Sequence, residues 1–129
     1  EALDAAGWEP ACVGGLTLGA DPVAYSIAPA AAAAGRGLDA FTVRKEAKGH
    51  GTGRRIEGGF QAGCDVVVVE DVVTTGDSAL RAIQVVEEAG ARVLGVLSVV
   101  DREDAGRDRL ERAGYALVSL FTASGLLER

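Results

Sequence analysis

Two adjacent carboxylates, Glu70 and Asp71, follow a run of four valines. Carboxylates in this position could bind a ligand or a cation. Two apolar residues come next, then the polar stretch Thr74–Ser78, and a helical pattern begins at Asp77. A β-branched run of this kind predicts a strand that is buried on both faces. The carboxylates and hydroxyls are therefore expected at the carboxyl end of a strand, where open parallel sheets bind their ligands.

The turn Thr74–Ser78 has the features of a phosphate site. Its backbone N–H groups and the N-terminus of the following helix can bind phosphate oxygens, as can the hydroxyls of Thr74, Thr75 and Ser78. Gly76 permits a close approach. The chain lacks the GxxxxGK(S/T) pattern, which excludes a Walker A nucleotidase. Because two carboxylates would repel a phosphate unless they hold sugar hydroxyls or a cation, the combination predicts a phosphorylated ribose; a purely structural turn is the alternative.

The segment 45–59, KEAKGHGTGRRIEGG, has neither a helical nor a strand period and contains five glycines. Residues 44–57 carry five Lys or Arg against two Glu, so the stretch is basic on a chain whose net charge is −6. A cationic, glycine-rich loop of this kind is expected to be flexible and to close over an anionic small molecule. A solvated surface loop is the alternative interpretation.

Apolar runs that alternate with helical patterns predict an α/β fold of one domain, 1–129, with a mainly parallel sheet flanked by helices. Strands are expected at 11–15, 40–44, 66–69, 93–100 and 116–121, and helices at 21–34, 77–89 and 104–113. In the first helix we expect Asp21 to be the N-cap and Pro22 the first helical residue. Pro29 is expected to kink that helix or to end it early.

The composition is that of a globular protein and argues against several classes of function. The chain has 129 residues, of which 48% are hydrophobic and 25% charged, and its sequence pI is near 4.7. An acidic chain is a poor candidate for binding nucleic acid or an anionic membrane, and no apolar run reaches membrane-spanning length. Cys12 and Cys64 are expected to be free thiols, which favours a cytoplasmic location. Because methionine is absent, we expect the chain to be part of a longer protein.

Four stretches resemble the type I phosphoribosyltransferases and, within them, the orotate phosphoribosyltransferase family. Val66–Ala79, VVVVEDVVTTGDSA, is similar to the superfamily motif that binds 5-phosphoribosyl 1-pyrophosphate (PRPP). FTVRKEAKGHGTGRRIEG, Phe41–Gly58, is the more specific match and resembles the catalytic loop of the orotate family. Gly14–Ala24 resembles that family's pyrophosphate-side loop, and Val99–Glu103 resembles its strand end beside orotate.

The resemblance implies a role for each matching residue. Glu70 and Asp71 would hold the ribose hydroxyls of PRPP, and Lys48 would be the main catalytic residue. The other PRPP-binding residues would be Arg44, Lys45, His50, Val72, Val73, Thr74, Thr75, Gly76, Asp77 and Ser78, with Lys45 and His50 assisting catalysis at the pyrophosphate. Thr74 and Arg102 would face orotate. Mg²⁺ would be bound mainly through PRPP, close to Asp71, without a direct ligand set from the protein.

Arg102 also fits an orotate site on chemical grounds. Orotate carries a carboxylate, and a guanidinium group is the side chain that binds a carboxylate through two parallel hydrogen bonds. A surface salt bridge with Asp101 or Glu103 is the alternative role for Arg102.

The activity implied by the resemblance is transfer of a phosphoribosyl group from PRPP to orotate in pyrimidine synthesis. The family pattern also implies a homodimer in which the loop of one subunit closes over the site of the other. The alternatives are a transferase for another base, a non-catalytic PRPP-binding module or regulator, and an inactive fragment. Arg102 argues against another base, because purines carry no carboxylate, and Lys45 and Lys48 argue against a non-catalytic module.

The chain departs from the family pattern in two places. Some relatives carry a lysine where this chain has Leu18–Ala20, so one pyrophosphate contact is expected to come from the backbone alone. The family's N-terminal segment, which helps to cover the orotate base, is not present before Glu1.

Overall fold

The computed structural model of the chain describes residues 1–46 and 55–127, which form one mainly parallel sheet with helices packed on both faces. The strands in this part of the chain are β1 (Cys12–Leu16), β2 (Asp39–Val43), β3 (Ile56–Gly58), β4 (Asp65–Val73), β5 (Arg92–Asp101) and β6 (Leu117–Thr122). Their order across the sheet is β3-β2-β1-β4-β5-β6, and neighbouring strands are parallel except for β2 and β3. The predicted α/β class is confirmed.

The described helices are α1 (Ala2–Ala6), α2 (Asp21–Ala33), α3 (Asp77–Glu88), α4 (Gly106–Arg112) and α5 (Ala123–Leu127). Helices α2, α3 and α4 each connect two parallel strands, because parallel strands need a crossover connection and a helix usually supplies it. None of the helices in the described residues is both long enough and apolar enough to cross a membrane.

The valines of β4 lie at the centre of the core. Val66 and Val68 pack in one cluster with residues of α3, and Val67 and Val69 pack in a second cluster with residues of α2. All four are fully buried, and burial of a valine side chain contributes roughly 1.5 kcal/mol or more. Helices cover both faces of β4, which explains why its sequence is an unbroken apolar run rather than an alternating one.

Strands β1 and β4 are parallel neighbours at the centre of the sheet, and the order in which successive strands are added reverses between them. From β1 the strand order runs outward to β2 and β3 on one side, and from β4 to β5 and β6 on the other. In open α/β sheets, ligands bind at such a switch point, beyond the carboxyl ends of the strands. The segments that follow β1 and β4 are therefore the candidate binding loops.

Helix α2 covers nearly the predicted range, but its N-cap and the effect of Pro29 differ from the prediction. Its N-cap is Ala20 rather than Asp21, because the Asp21 carboxylate is engaged by side chains outside the helix. The early end expected at Pro29 is wrong, since α2 continues to Ala33. A proline removes the hydrogen bond to the carbonyl four residues earlier, here that of Tyr25. Tyr25 is exposed, so water can bind that carbonyl instead.

Three short elements were not expected. Ile56–Gly58 lies within the predicted loop 45–59 but forms β3, which pairs antiparallel with β2 at the edge of the sheet. A strand of three residues is too short to show a period, and the same holds for the five-residue helices α1 and α5. Cys12 and Cys64 are free thiols, as expected, with their Sγ atoms 3.3 Å apart.

Candidate active site

Glu70 and Asp71 lie near the carboxyl end of β4, which continues to Val73 and so extends beyond the predicted 66–69. The Glu70 side chain is only 5% exposed, and its Oε1 has no hydrogen-bond partner among the described residues. Burial, with a smaller contribution from the charge of Asp71, raises the pKa of Glu70 to about 8. Burial thus favours the neutral form of Glu70, and a neutral Glu70 repels a phosphorylated ligand less than a charged one would.

Asp71 is exposed and contacts the segment that follows β1. Its Oδ1 accepts a hydrogen bond from the Val72 N–H at 2.7 Å. A Cβ added at Gly19 would lie 2.8 Å from the same oxygen, so the backbone there comes close to the carboxylate. The Thr17–Leu18 peptide bond in this segment is cis. The structure thus brings the stretch that resembles a pyrophosphate-side loop against the carboxylate pair.

Asp21 holds the start of that segment in place. Its two carboxylate oxygens accept hydrogen bonds from the hydroxyls of Thr17, at 2.7 Å, and Thr42, at 3.0 Å. The loop after β1 is thereby tied to the neighbouring strand β2. The sequence analysis assigned Asp21 to a helix cap and missed this contact, which joins residues 21 positions apart in the chain.

The turn between β4 and α3, residues 74–76, is the place where the sequence predicts a phosphate cradle, and residues 74–78 are called the cradle below. Gly76 is the N-cap of α3, with a φ of 84° that a side chain would strain. The Thr75 hydroxyl accepts a hydrogen bond from the Asp77 N–H at 3.3 Å. A small cavity of about 30 Å³ is lined by Glu70 and residues 72–79, including the exposed Thr74 and Ser78. Hydroxyls, backbone N–H groups and a helix N-terminus meet there, an arrangement that suits an anion.

Helix α4 supports the cradle from beneath. The Gly106 N–H donates to the Thr74 carbonyl at 2.9 Å, and the Arg109 guanidinium donates to the Thr75 carbonyl at 2.7 Å. Arg109 also pairs with Asp77, and this hydrogen bond is the main reason that the pKa of Asp77 lies below its ordinary value. No residue of α4 was predicted to belong to the site.

Arg102 lies at the end of β5, beside the cradle. Its backbone N–H donates to the Val73 carbonyl at 3.0 Å, and its side chain is exposed. Arg102 does not form the alternative salt bridge with Asp101 or Glu103. Asp101 pairs with Arg107 instead, and the Glu103 carboxylate accepts a hydrogen bond from the Ser124 N–H. Among the described residues the guanidinium of Arg102 has no ion pair, so it is available to a ligand.

Arg44 and Lys45 lie at the stem of the predicted catalytic loop. Arg44 pairs with Glu57 at 3.2 Å, in an exposed ion pair of a kind that contributes little and is readily exchanged. The Lys45 carbonyl accepts from Arg55 at 2.6 Å and from Arg81 of α3 at 3.4 Å, which ties the stem to the cradle's own helix. Lys48 and His50 lie outside the described residues, so their placement stays a prediction.

The residues present fit Mg²⁺ bound together with a phosphorylated ligand. The described residues contain no group of three or more His, Cys, Asp or Glu side chains that could hold a metal ion alone. Mg²⁺ usually needs only one or two carboxylates, with the remaining oxygens from substrate phosphates and water. The exposed carboxylate of Asp71, next to the cradle, meets that requirement.

A larger cavity of about 760 Å³ lies away from the carboxylates. It is lined largely by apolar side chains of α1, α2 and β5, among them Val23, Ile27 and Leu97, and none of the cradle residues borders it. Size alone would favour this cavity, but neither the Glu70–Asp71 pair nor the turn 74–78 borders it, and its lining is mostly apolar. The chemistry therefore places the candidate site at the smaller cleft.

Comparison with known proteins finds similar sequences and similar structures. No protein-family model matches the sequence. A curated relative from Aquifex aeolicus (strain VF5), named orotate phosphoribosyltransferase, is 52% identical over 120 residues, which are 93% of this chain and 66% of that protein. The chain spans 54–66% of the length of curated relatives such as this one.

Solved structures are similar over nearly the whole chain. The orotate phosphoribosyltransferase of Mycobacterium tuberculosis H37Rv in complex with Fe(III) dicitrate has a TM-score of 0.86 at 46% identity, covering 96% of this chain and 70% of that one. The same enzyme in complex with PRPP has a TM-score of 0.82 at 45% identity, covering 92% of this chain and 66% of that one.

Proposed function

The chain belongs to the orotate phosphoribosyltransferase family, and on that premise we propose that it transfers the phosphoribosyl group of PRPP to orotate. The products are orotidine 5′-monophosphate and pyrophosphate. The observation that carries the proposal is the meeting of three groups at one sheet edge: the Glu70–Asp71 pair, the cradle at 74–78 and the free guanidinium of Arg102.

The 5′-phosphate and the ribose of PRPP fit two adjacent parts of the site. The cradle binds the 5′-phosphate through backbone N–H groups and the hydroxyls of Thr74, Thr75 and Ser78. Glu70 and Asp71 bind the ribose hydroxyls. Because burial raises the pKa of Glu70 to about 8, this group can donate a hydrogen bond to a sugar oxygen at neutral pH while Asp71 accepts one.

Orotate binds beside the cradle. The Arg102 guanidinium forms two parallel hydrogen bonds with the orotate carboxylate, and Thr74 faces the base from the cradle. The hydrogen bond from the Arg102 N–H to the Val73 carbonyl links these two contacts through the backbone. A base without a carboxylate would leave the guanidinium unpaired, which disfavours other bases as substrates.

The reaction breaks the bond between ribose C1 and pyrophosphate through an oxocarbenium-like state, as in glycoside cleavage. Negative charge grows on the leaving oxygen, and Lys45, Lys48 and His50 of the loop stabilise that charge more than they stabilise the ground state. Asp71 would hold Mg²⁺ together with PRPP, and the bound ion would supply further positive charge at the leaving pyrophosphate. A ring nitrogen of orotate is the nucleophile, so no protein nucleophile is needed. The closed loop keeps water from attacking the same carbon.

The assembly and location follow the same proposal. The protein works in the cytoplasm as a homodimer, and the cationic loop of one subunit closes over the carboxylate pair of the other.

The ion pair of Arg44 with Glu57 opens when pyrophosphate competes for the guanidinium, because exposed pairs of this kind contribute about 1 kcal/mol or less.

Turnover of orotate tests the proposal. The purified chain is incubated with PRPP, Mg²⁺ and orotate, and both orotidine 5′-monophosphate and pyrophosphate are quantified. Equimolar appearance of the two products is expected, with no product when uracil or adenine replaces orotate. Products from adenine would favour a transferase for another base, and PRPP binding without any product would favour a non-catalytic module.

A further inference from the structure

We infer that Arg107 of α4 is a positioning residue for orotate: it holds the turn 101–103 and, through that turn, aims the Arg102 guanidinium at the base. The inference rests on the proposed function, because it concerns the orotate side of the same site. It adds a residue that does not itself contact the ligand.

Asp101 is the link between Arg107 and the turn. This carboxylate is 2% exposed, and one of its oxygens accepts a hydrogen bond from Arg107 Nε at 3.1 Å. The other oxygen accepts from the Glu103 N–H at 2.8 Å. Each oxygen therefore has a partner, and the side chain bridges α4 to the residue that follows Arg102.

The turn needs such a restraint because its backbone is unusual. Glu103 has a φ of 66°, in the left-handed region that side chains other than those of Asn and Asp rarely adopt. Its N–H is held by Asp101, and its carboxylate accepts a hydrogen bond from the Ser124 N–H at 2.7 Å. Arg102 stands between these two fixed residues, so the direction of its side chain depends on them.

Arg107 in turn is fixed to the edge strand β6. Its Nη1 donates to the Leu117 carbonyl at 2.8 Å, and its Nη2 donates to the Ser119 hydroxyl at 3.4 Å. One guanidinium thus joins α4, the end of β5 and the start of β6. Without it, Asp101 would be a buried carboxylate with no cation beside it, which favours rotation of the carboxylate and frees the Glu103 N–H.

The same helix holds the PRPP side of the site. Gly106 and Arg109 bind the carbonyls of Thr74 and Thr75, whereas Arg107 binds Asp101. Helix α4 therefore sets the distance between the phosphate cradle and the guanidinium of Arg102. A displacement of the Arg107 end of α4 would therefore move the Arg102 guanidinium relative to the cradle and weaken the binding of orotate more than that of PRPP.

Two variants of Arg107 and one matched control test the inference. Arg107→Lys keeps a positive charge beside Asp101 but loses the fork that reaches β6, and Arg107→Gln removes the charge. Arg112→Gln is the control, because Arg112 is an exposed arginine of the same helix with no hydrogen bond or ion pair to the described residues. The KM for orotate, the KM for PRPP and kcat are measured, together with hydrogen exchange of the Glu103 amide.

In Arg107→Gln the KM for orotate is expected to rise roughly ten- to a hundredfold, with the KM for PRPP within about twofold of the unmutated value. Arg107→Lys should be intermediate and Arg112→Gln unchanged. Glu103 amide exchange should accelerate in the same order. A similar rise in both KM values, or a fall in kcat alone, would overturn the inference, because that is the result of a purely structural role.

Amide exchange also separates this inference from the proposed function. If the unmutated chain makes no product from orotate, the proposed function fails, and unchanged exchange at Glu103 in Arg107→Lys would reject the inference on its own. If the unmutated chain is active but all the arginine variants match it, only the inference is wrong. Should Arg107→Gln not fold, Arg107→Lys still gives the KM comparison, since it retains the cation beside Asp101.

Discussion

At the level of single residues, the carboxyl group of Glu70 differs from that of its neighbour Asp71 in its surroundings. Glu70 is buried, and its Oε1 has no hydrogen-bond partner in the part of the chain that the structure describes, whereas Asp71 is exposed and accepts a hydrogen bond from the Val72 N–H. On the proposed function, Glu70 would donate a hydrogen bond to a ribose hydroxyl and Asp71 would accept one. The neutral form of Glu70 also limits the negative charge that a ligand with several phosphate groups must approach.

The raised pKa of Glu70 has a consequence for stability. Its ordinary pKa is 4.5, and in the folded chain it is about 8, so the folded state keeps a proton that the unfolded state loses between these values. The free energy of unfolding therefore falls as pH rises through this window, by up to about 1.4 kcal/mol per pH unit. Urea unfolding from about pH 5 to pH 8 measures the slope. Glu70→Gln should remove this contribution, and an identical slope in both proteins would contradict the assignment.

Arg102 is the residue whose loss should separate the two substrates. Arg102→Ala removes a charged hydrogen-bond partner, a change of about 1.5–3 kcal/mol. The KM for orotate should rise roughly ten- to a hundredfold, while the KM for PRPP changes little. Steady-state kinetics with each substrate varied in turn measures both constants, and Arg112→Ala is the control. If both constants rise together, Arg102 has a structural role instead.

At the level of elements, the close packing of α4 beneath the cradle gives a prediction about Gly106. A Cβ at this position would lie 2.5 Å from Val73 Cγ1 and 2.7 Å from the Thr74 carbonyl oxygen. Gly106→Ala should therefore lower the free energy of unfolding by about 1–3 kcal/mol and weaken PRPP binding. Chemical denaturation and calorimetry measure the two effects.

Gly37→Ala is the matched control for Gly106→Ala. A Cβ at Gly37 would meet nothing within 4 Å, so a change within about 0.5 kcal/mol is expected. If both alanine variants have the same stability and PRPP affinity, the contact between α4 and the cradle does not constrain the site.

The unit β4–turn–α3 could be predicted from the sequence because its signals are local. Buried valines, paired acids and a glycine at the helix start are adjacent in the chain, and the structure has them in the same order. The contacts of α4 could not be predicted in this way, because Arg109 and Thr75 are 34 positions apart and only the folded sheet brings them together. The cap assigned to Asp21 failed for the same reason, since Thr42 on a neighbouring strand binds its carboxylate.

At the level of the whole molecule, the proposed dimer predicts that two defective variants repair each other. Lys48→Ala should lower kcat roughly 10²–10³-fold, and Asp71→Asn should weaken PRPP binding. When the two are mixed, half of the dimers are hybrids, and each hybrid has one site with an intact loop and an intact cradle. Activity should recover to roughly a quarter of the unmutated value, counting sites in a twofold dimer.

The mixing experiment distinguishes loops that cross between subunits from loops that close over their own subunit. In the second case every site of a hybrid carries one defect, so mixing would restore nothing. Subunit exchange is verified with differently tagged chains, and each variant mixed with itself is the control. No recovery after verified exchange would reject the shared site.

The central claim is that PRPP binds at the carboxyl end of β4, and titration calorimetry with PRPP and Mg²⁺ tests it most directly. Asp71→Asn is compared with Asp104→Asn, which removes an exposed carboxylate outside the cradle. We expect one PRPP site per chain, an affinity loss of roughly ten- to a hundredfold in Asp71→Asn, and no loss of affinity in Asp104→Asn. Absence of binding by the unmutated chain, or equal affinity in all three proteins, would contradict the claim.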